Sequence, residues 1–340
     1  MENKDIIILG IESSCDDTAA AVLKNETILS NITAGQKVHE AYGGIVPELA
    51  SRAHQQNIIP VVDTAIKKAG ITKNDIDAIA FTRGPGLMGS LIVGTSFAKS
   101  FALGLSIPLV EVNHMKAHIL AHFIDDNEKE KPNFPFLCLT VSGGHTQLVI
   151  VNDFLDMEVV GTTKDDAAGE AFDKTAKLLG LPYPGGPLID QYAQKGDAST
   201  FTFSKPKMPD FDYSFSGLKT NVLQFLDREK KKNNDFIKEN LFDICASLQA
   251  VILEILLDKL IKASKHFNIK EIAIAGGVSA NSGLREELLK EGKRRNWKVH
   301  IPDFEYCTDN AAMIAIAGRY NFLNNDIAEQ SISPNARLKF

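Results

Sequence analysis

Two histidines stand four residues apart in Asn113-His114-Met115-Lys116-Ala117-His118, a stretch with a helical pattern. At that spacing both imidazoles leave one face of a helix. A pair so placed is a common way to hold a divalent metal. Far along the chain, Asp309 in Cys307-Thr308-Asp309-Asn310 stands at the mouth of a later helix and can complete a three-ligand set. The competing reading is a pair of buried core histidines, and Lys116 and His122, which keep this helix start polar, speak against it. A zinc protease of the HExxH type needs a glutamate as base. Met115, Lys116 and Ala117 fill that interval, so a metal here anchors or polarises a ligand and does not run proteolysis. Cys15 as a nucleophile is the weaker idea, because no histidine adjoins it and a buried, inert thiol is the commoner case.

A second kind of site is carried by glycine turns. Ser142-Gly143-Gly144-His145-Thr146 lies between two predicted strands; its glycines let backbone amides approach a phosphate, and its hydroxyls add donors. A plain tight hairpin is the alternative. Gly185-Gly186-Pro187 with Asp190, and Gly276-Gly277 with Asn281, are two more such turns, and the loop 12–18 is a fourth polar strand end. Together they favour a nucleotide cleft. No GxxxxGK[ST] loop and no GxGxxG is present, so phosphate would be held by hairpin loops instead. Asp165 to Lys174 reads as the opening of a helix. Asp165 and Asp166 are expected to complement its dipole, and Asp173 is open to a ligand.

These residues need strand ends and helix starts to hold them. The pattern predicts strands at 5–11, 19–23 and 27–33, a helix at 46–69 after Gly43-Gly44, a strand at 76–82 closed by Gly84-Pro85-Gly86, a helix at 91–103 and a strand at 108–112. It then recurs, with strands at 136–141, 147–151, 157–162 and 269–275 and a helix opening at 281–283. The expected fold is therefore α/β and duplicated, with a helical insert at 218–267 and a ligand in the cleft between the halves. The domains are expected at 1–112, completed by a helix at 310–330, and at 113–309.

The chain has 340 residues, 44% of them hydrophobic, which suits two domains. A net charge of -6 means that contact with nucleic acid would run through a local patch or a partner. The basic runs 230–232 and 293–295 read first as solvated surface. Cys15, Cys138, Cys245 and Cys307 form no CxxC, which points away from disulfides and zinc ribbons and toward a cytoplasmic setting. The charged start and the short apolar run 6–9 read as a strand and not as a signal peptide. The apolar stretch 250–261, with Glu254, Asp258 and Lys259 inside it, reads as a core helix and not as a membrane span.

Taken together, Glu12-Ser13-Ser14-Cys15-Asp16, Gly43-Gly44-Ile45-Val46-Pro47-Glu48, Gly84-Pro85-Gly86, His114 to His118, Ser142 to Thr146, Gly169-Glu170-Ala171-Phe172-Asp173, Gly185-Gly186-Pro187, Ser214 to Lys219, Gly277 to Asn281 and Cys307 to Asn310 resemble the bacterial TsaD family almost end to end. That resemblance implies the actin/Hsp70/sugar-kinase (ASKHA) fold, with two duplicated RNase H-like domains around a central cleft. It implies an acyltransferase that moves a threonylcarbamoyl group from threonylcarbamoyl-AMP to N6 of adenine 37 in tRNAs reading codons that begin with A. It further implies metal ligation by His114, His118 and Asp309, with iron (Fe2+) expected and zinc (Zn2+) as the alternative. By the same resemblance Thr140, Val141, Ser142, Gly143, Gly144, Asp173, Gly186, Asp190 and Asn281 bind the adenylate. The implied partners are tRNA, a small paralogue of the same fold (TsaB) and a small P-loop ATPase (TsaE), with no membrane. The family's old label of glycoprotease is at odds with the missing HExxH glutamate. Arg83 and the lysines near Lys230 match no family pattern, and no side chain stands out as a general base. The rival readings are an ATP-using kinase or ATPase of the same fold and a non-catalytic scaffold of a tRNA-modifying complex; the histidine pair weighs against the scaffold.

Overall fold

The computed structural model describes residues 5–125 and 129–340. The chain opens with β1 (Ile7–Glu12), β2 (Thr18–Lys24) and β3 (Thr27–Ala34), followed by α1 (Pro47–Lys68), β4 (Ala78–Gly84), α2 (Met88–Leu105), β5 (Leu109–Asn113) and α3 (His114–Leu120). β1, β2 and β3 are antiparallel neighbours, and β4 and β5 add in parallel, giving the order β3-β2-β1-β4-β5. β1 is buried along almost its whole length, as expected of a strand covered on both faces. On one face α1 and α2 pack through Ile58, Val61, Val62, Ala65, Ala98 and Ala102 onto Leu9, Ile11, Val22, Ile79 and Phe81. α1 starts with Pro47, whose missing N–H costs nothing at a helix start.

The second set of elements is β6 (Phe136–Val141), β7 (Thr146–Val151), β8 (Met157–Thr162), α4 (Ala168–Leu178), α5 (Gly185–Ala193), α6 (Ser216–Lys230), α7 (Phe236–Phe267), β9 (Glu271–Ala275), α8 (Ser282–Arg295) and β10 (Lys298–His300). Its sheet runs β8-β7-β6-β9-β10, again with three antiparallel strands and two parallel additions. The two sheets thus repeat one topology, which is the duplication expected from the sequence. The core of this set joins Leu137, Leu139, Leu148 and Ile274 to Phe172, Tyr213, Phe215, Leu248 and Ile252. The helical insert is two helices, and α7 is bent at Asn240, where the backbone leaves helical φ/ψ.

α9 (Phe304–Cys307) and α10 (Ala311–Leu323) return to the first sheet. α10 covers the face opposite α1, at very short range. A Cβ on Gly10 would lie 2.5 Å from the Ala311 carbonyl, and one on Gly318 would lie 2.2 Å from the Ala80 Cβ. Only glycine at these two positions lets helix and sheet meet so closely, and that contact fixes where Asp309 stands.

The chain divides into two compact units, Met1–Lys131 with Pro302–Phe340, and Pro132–Ile301. The sequence-based boundary at 112/113 falls between β5 and α3. In the structure α3 belongs with the first unit, because α10 packs on it. Among the described residues α2 is the one helix long and apolar enough to cross a membrane, and it packs against α1 and β4. The stretch 250–261 lies within α7, a largely buried core helix.

Candidate metal centre and glycine-turn site

The first unit gathers its chemistry where β1, β5 and α10 meet. β5 runs directly into α3. Asn113 caps that helix, its Oδ1 accepting from the N–H of Met115 at 2.9 Å and of Lys116 at 3.3 Å. Asn310 caps α10 in the same way, accepting from Met313 N–H at 3.0 Å. His114 follows one cap and Asp309 precedes the other, so each ligand is set by a fixed helix start.

The Nε2 atoms of His114 and His118 each lie 3.3 Å from Asp309 Oδ1. One ligand atom from each of the three residues falls within 4.8 Å of the others. Bonds of about 2.0–2.1 Å to a divalent metal put neighbouring ligand atoms about 3.0–3.4 Å apart, and both histidine–aspartate distances fall in that range. The orphaned imidazole fits too. Both ring nitrogens of His118 are buried without a hydrogen bond among the described residues, a costly state that a metal at Nε2 relieves. The predicted set of His114, His118 and Asp309 is therefore brought together.

Behind it stands Glu12, which sequence reasoning treated only as a polar strand end. It is fully buried. Its Oε2 accepts from His114 Nδ1 at 3.0 Å and from the Thr82 hydroxyl at 2.6 Å, and its Oε1 accepts from Ser14 N–H. A carboxylate that orients a ligating imidazole is a recurrent feature of metal sites. The signal for it was a lone acid ending an otherwise apolar strand.

Charge follows from the packing. Burial opposes ionisation of Glu12, yet His114 beside it holds the carboxyl below its usual range. Burial opposes a proton on His114, but Glu12 and Asp309 override it and raise the imidazole well above its usual value. Burial likewise opposes charge on Asp309, and the two histidines hold that carboxyl low. Burial keeps His118 below the usual histidine value. A field that favours a proton between two carboxylates also favours a divalent cation there. Burial and then Asp309 push the Cys15 thiol up, which disfavours the thiolate that a nucleophile needs, while its carbonyl accepts from His54 Nε2 at 3.0 Å and the Ser90 hydroxyl at 2.8 Å.

The second unit carries the glycine turns. Thr140 and Val141 end β6, and Ser142 to His145 form a tight hairpin closed by Ser142 N–H to the His145 carbonyl at 2.8 Å. Gly143 and Gly144 are exposed, and a Cβ on either would meet nothing within 4 Å. The turn is thus both the hairpin and an open backbone ridge. α4 docks on it through Ala168 N–H to the Thr146 hydroxyl at 2.9 Å and through Gly169, where a Cβ would sit 2.6 Å from the Ser142 carbonyl.

The remaining predicted residues form a relay. Asp173 of α4 accepts on Oδ1 from Gly185 N–H at 2.8 Å and Gly186 N–H at 3.1 Å, holding the start of α5. Asp190 of α5 accepts from Ser282 N–H at 2.9 Å and its hydroxyl at 2.8 Å, holding the start of α8. Asn281 caps α8 through Leu284 N–H at 2.8 Å and donates to Gln249 Oε1 at 2.8 Å. Burial raises the Asp173 carboxyl above its usual range. One expectation is corrected. α4 begins at Ala168, so Asp165 and Asp166 lie outside it. Asp165 instead holds the start of α6, accepting from Ser214 Oγ, from the N–H groups of Phe215 and Ser216, and from Ser216 Oγ. Asp166 pairs with Lys174 at 2.7 Å. Of the basic runs, Lys232, Arg294 and Arg295 are tied to neighbouring glutamates, in keeping with solvated surface.

Against known proteins, the family model for tRNA N6-adenosine threonylcarbamoyltransferase, TsaD, matches residues 27–316. A protein of that name from Christiangramia forsetii is 63% identical over 340 residues, covering 100% of both chains. One from Riemerella anatipestifer is 59% identical, covering 99% of this chain and 98% of its own. Among solved structures, full-length HypF in a phosphate- and nucleotide-bound form aligns with a TM-score of 0.61 at 14% identity, over 94% of this chain and 46% of its own. Component A of the Acidaminococcus fermentans (R)-2-hydroxyglutaryl-CoA dehydratase aligns at 0.51 and 14%, over 92% and 96%. These likenesses speak for the fold, the duplicated ASKHA type. A matched model over most of the sequence and relatives this close along their full length make the chain a member of the TsaD family, the tRNA N6-adenosine threonylcarbamoyltransferases.

Proposed function

We propose that this protein transfers a threonylcarbamoyl group from threonylcarbamoyl-AMP to N6 of adenine 37 in tRNAs that read codons beginning with A. The observation that carries the reading is the His114–His118–Asp309 group with Glu12 behind it, in a chain so close to enzymes of that name. A core pair of histidines would not need the buried carboxylate of Glu12 on one side and the half-buried carboxylate of Asp309 on the other.

The adenine N6 amine is a weak nucleophile, because its lone pair is delocalised into the ring. The donor is a mixed anhydride of carbamate and phosphate. The N6–carbamoyl bond forms, the carbamoyl–oxygen bond to phosphate breaks, N6 gives up one proton and AMP departs. The protein's task is placement and electrostatic stabilisation. We assign the phosphate to the backbone ridge of Ser142, Gly143 and Gly144, with Thr140 and Val141 as the strand end beneath it. Asp173 has one oxygen committed to α5, and the other is assigned to a hydroxyl of the nucleotide. Gly186 offers a close backbone approach. Asp190 and Asn281 serve by fixing the start of α8 and the turn before it. In the first unit His114, His118 and Asp309 are assigned as ligands of one divalent metal, iron in our reading and zinc as the alternative. When bound, that metal would supply Lewis-acid charge. Glu12 fixes the His114 ring so that Nε2 faces the site. No side chain is assigned as general base.

The same reading places the protein in the cytoplasm, consistent with four free cysteines, and gives it a small paralogue of its own fold and a small P-loop ATPase as partners. The test is nucleoside analysis of tRNA from cells depleted of this protein. Threonylcarbamoyladenosine should fall; an unchanged level sinks the assignment.

A further inference from the structure

The last residues of the chain run across the first unit without joining its sheet, turning once at Ala336–Arg337, where Leu338 N–H donates to the Asn335 carbonyl at 3.1 Å. From Ile332 to Phe340 every second residue is half-buried, and those between are exposed, so one side of the segment lies on the surface. Its anchors are specific. Lys99 Nζ donates to the Ile332 carbonyl at 3.0 Å and Arg83 Nε to the Ser333 carbonyl at 3.2 Å. Asn335 N–H donates to the Arg83 carbonyl at 2.9 Å, and Gly86 N–H to the Ala336 carbonyl at 3.2 Å. Gly84 has a φ of +152°, and a Cβ there would sit 1.9 Å from the Asn335 carbonyl oxygen, so the turn after β4 is shaped to receive this segment.

Two routes lead from it to the metal ligands. The direct one is Asn113, whose Nδ2 donates to the Lys339 carbonyl at 2.9 Å while its Oδ1 caps α3. That side chain joins the segment to the first turn of the helix bearing His114 and His118, through Met115 and Lys116 N–H. Lys116 of the same helix places its Nζ 5.7 Å from the centre of the Phe340 ring. The indirect route runs through Gly86 and Leu87. Leu87 N–H donates to the Ser14 carbonyl at 2.7 Å, and Ser14 in turn donates its N–H to Glu12, the partner of His114.

We propose that residues 332–340 are a strap that positions the metal centre, and that Asn113 is the positioning residue through which it acts. The proposal rests on the metal reading of His114, His118 and Asp309. The strap fixes the rotation and height of α3 against Asp309, and so sets how tightly a metal is held. Ile332 packs on the core between the sheet, α1 and α2 and anchors the strap there; disengagement of the residues after it would loosen the site without unfolding the unit.

The experiment uses the full-length protein loaded with Co2+ alone, its visible absorption band, and the rate of Co2+ release to excess chelator. Asn113→Asp keeps an oxygen to cap α3 and removes the donor to Lys339. We expect it to speed release about 10–100-fold, the usual effect of losing a partner behind a metal ligand, with a shifted band and little change in thermal midpoint. Deletion of 335–340 should do the same, and the two changes together should be no worse than either alone. Release at the wild-type rate from Asn113→Asp overturns the strap even if the shortened chain fails to fold. Effects that multiply in the double variant overturn Asn113 as its route. Wild-type protein that takes up no Co2+ overturns the metal reading itself and the strap with it.

Discussion

At the scale of single residues, the centre depends on an acid that is not itself a ligand. Glu12 holds the His114 ring through Nδ1, so the tautomer that presents Nε2 to a metal is fixed in advance. Glu12→Gln should therefore weaken metal affinity about 10-fold or more while leaving the unit folded; titration with Zn2+ or Co2+ against a competing chelator measures it, and unchanged affinity would contradict the role. The histidine pair was legible in the sequence because its geometry is local, two residues on one short helix. Glu12 was not legible. Its role requires β1 to lie beside β4, which brings Thr82 to it, and β5 to lead straight into α3. The pairing of β1 with β4 cannot be read from spacing along the chain.

At the scale of elements, side chains that hold helix starts order much of the second unit. Asp165 accepts four hydrogen bonds at the start of α6, and although burial opposes its ionisation, these donors hold its carboxyl below the usual aspartate range. For an acid with a lowered folded value, the stabilisation is full above the ordinary range near pH 4 and is lost as pH falls through the lowered value. Asp165→Ala should cost about 0.5–1 kcal/mol at neutral pH, screening keeping it small. The gap to wild type should close below about pH 4 in urea unfolding. A gap that persists in acid would contradict the capping role. Gly143→Val tests the turn differently. A Cβ there meets nothing, so the fold should survive while calorimetry with a threonylcarbamoyl-AMP analogue or AMP shows weaker binding; unaltered binding would leave only a hairpin. Among the described residues nine of the ten strands came through from the sequence to within two residues, the central ones because two buried faces give continuous apolar runs; the short β10 was not foreseen. The start of α4 did not. Acids at 165 and 166 look like the first turn of the helix that follows, and only the tertiary fold shows Asp165 turned to α6, 50 residues away at Phe215.

At the scale of the whole molecule, one topology occurs twice, and each copy carries a different site: metal ligands in the first unit, glycine turns in the second. The duplication could be read from recurring strand–turn patterns. The division could not be placed from sequence at 131/132 and 301/302, because the elements that hold α3 in the first unit include α10, far along the chain, beside β4 and β5. With 37 Lys+Arg against 43 Asp+Glu, a tRNA surface on this chain alone would be poorly charged, so partners are expected to complete it. The direct test of the central claim is a reconstitution with tRNA, chemically supplied threonylcarbamoyl-AMP and the partner proteins, comparing wild type with the folded His114→Ala/His118→Ala variant by nucleoside analysis and metal content. The account predicts threonylcarbamoyladenosine and one bound metal for the wild type, and neither for the variant. A variant that keeps its metal and forms the product at the wild-type rate would contradict it.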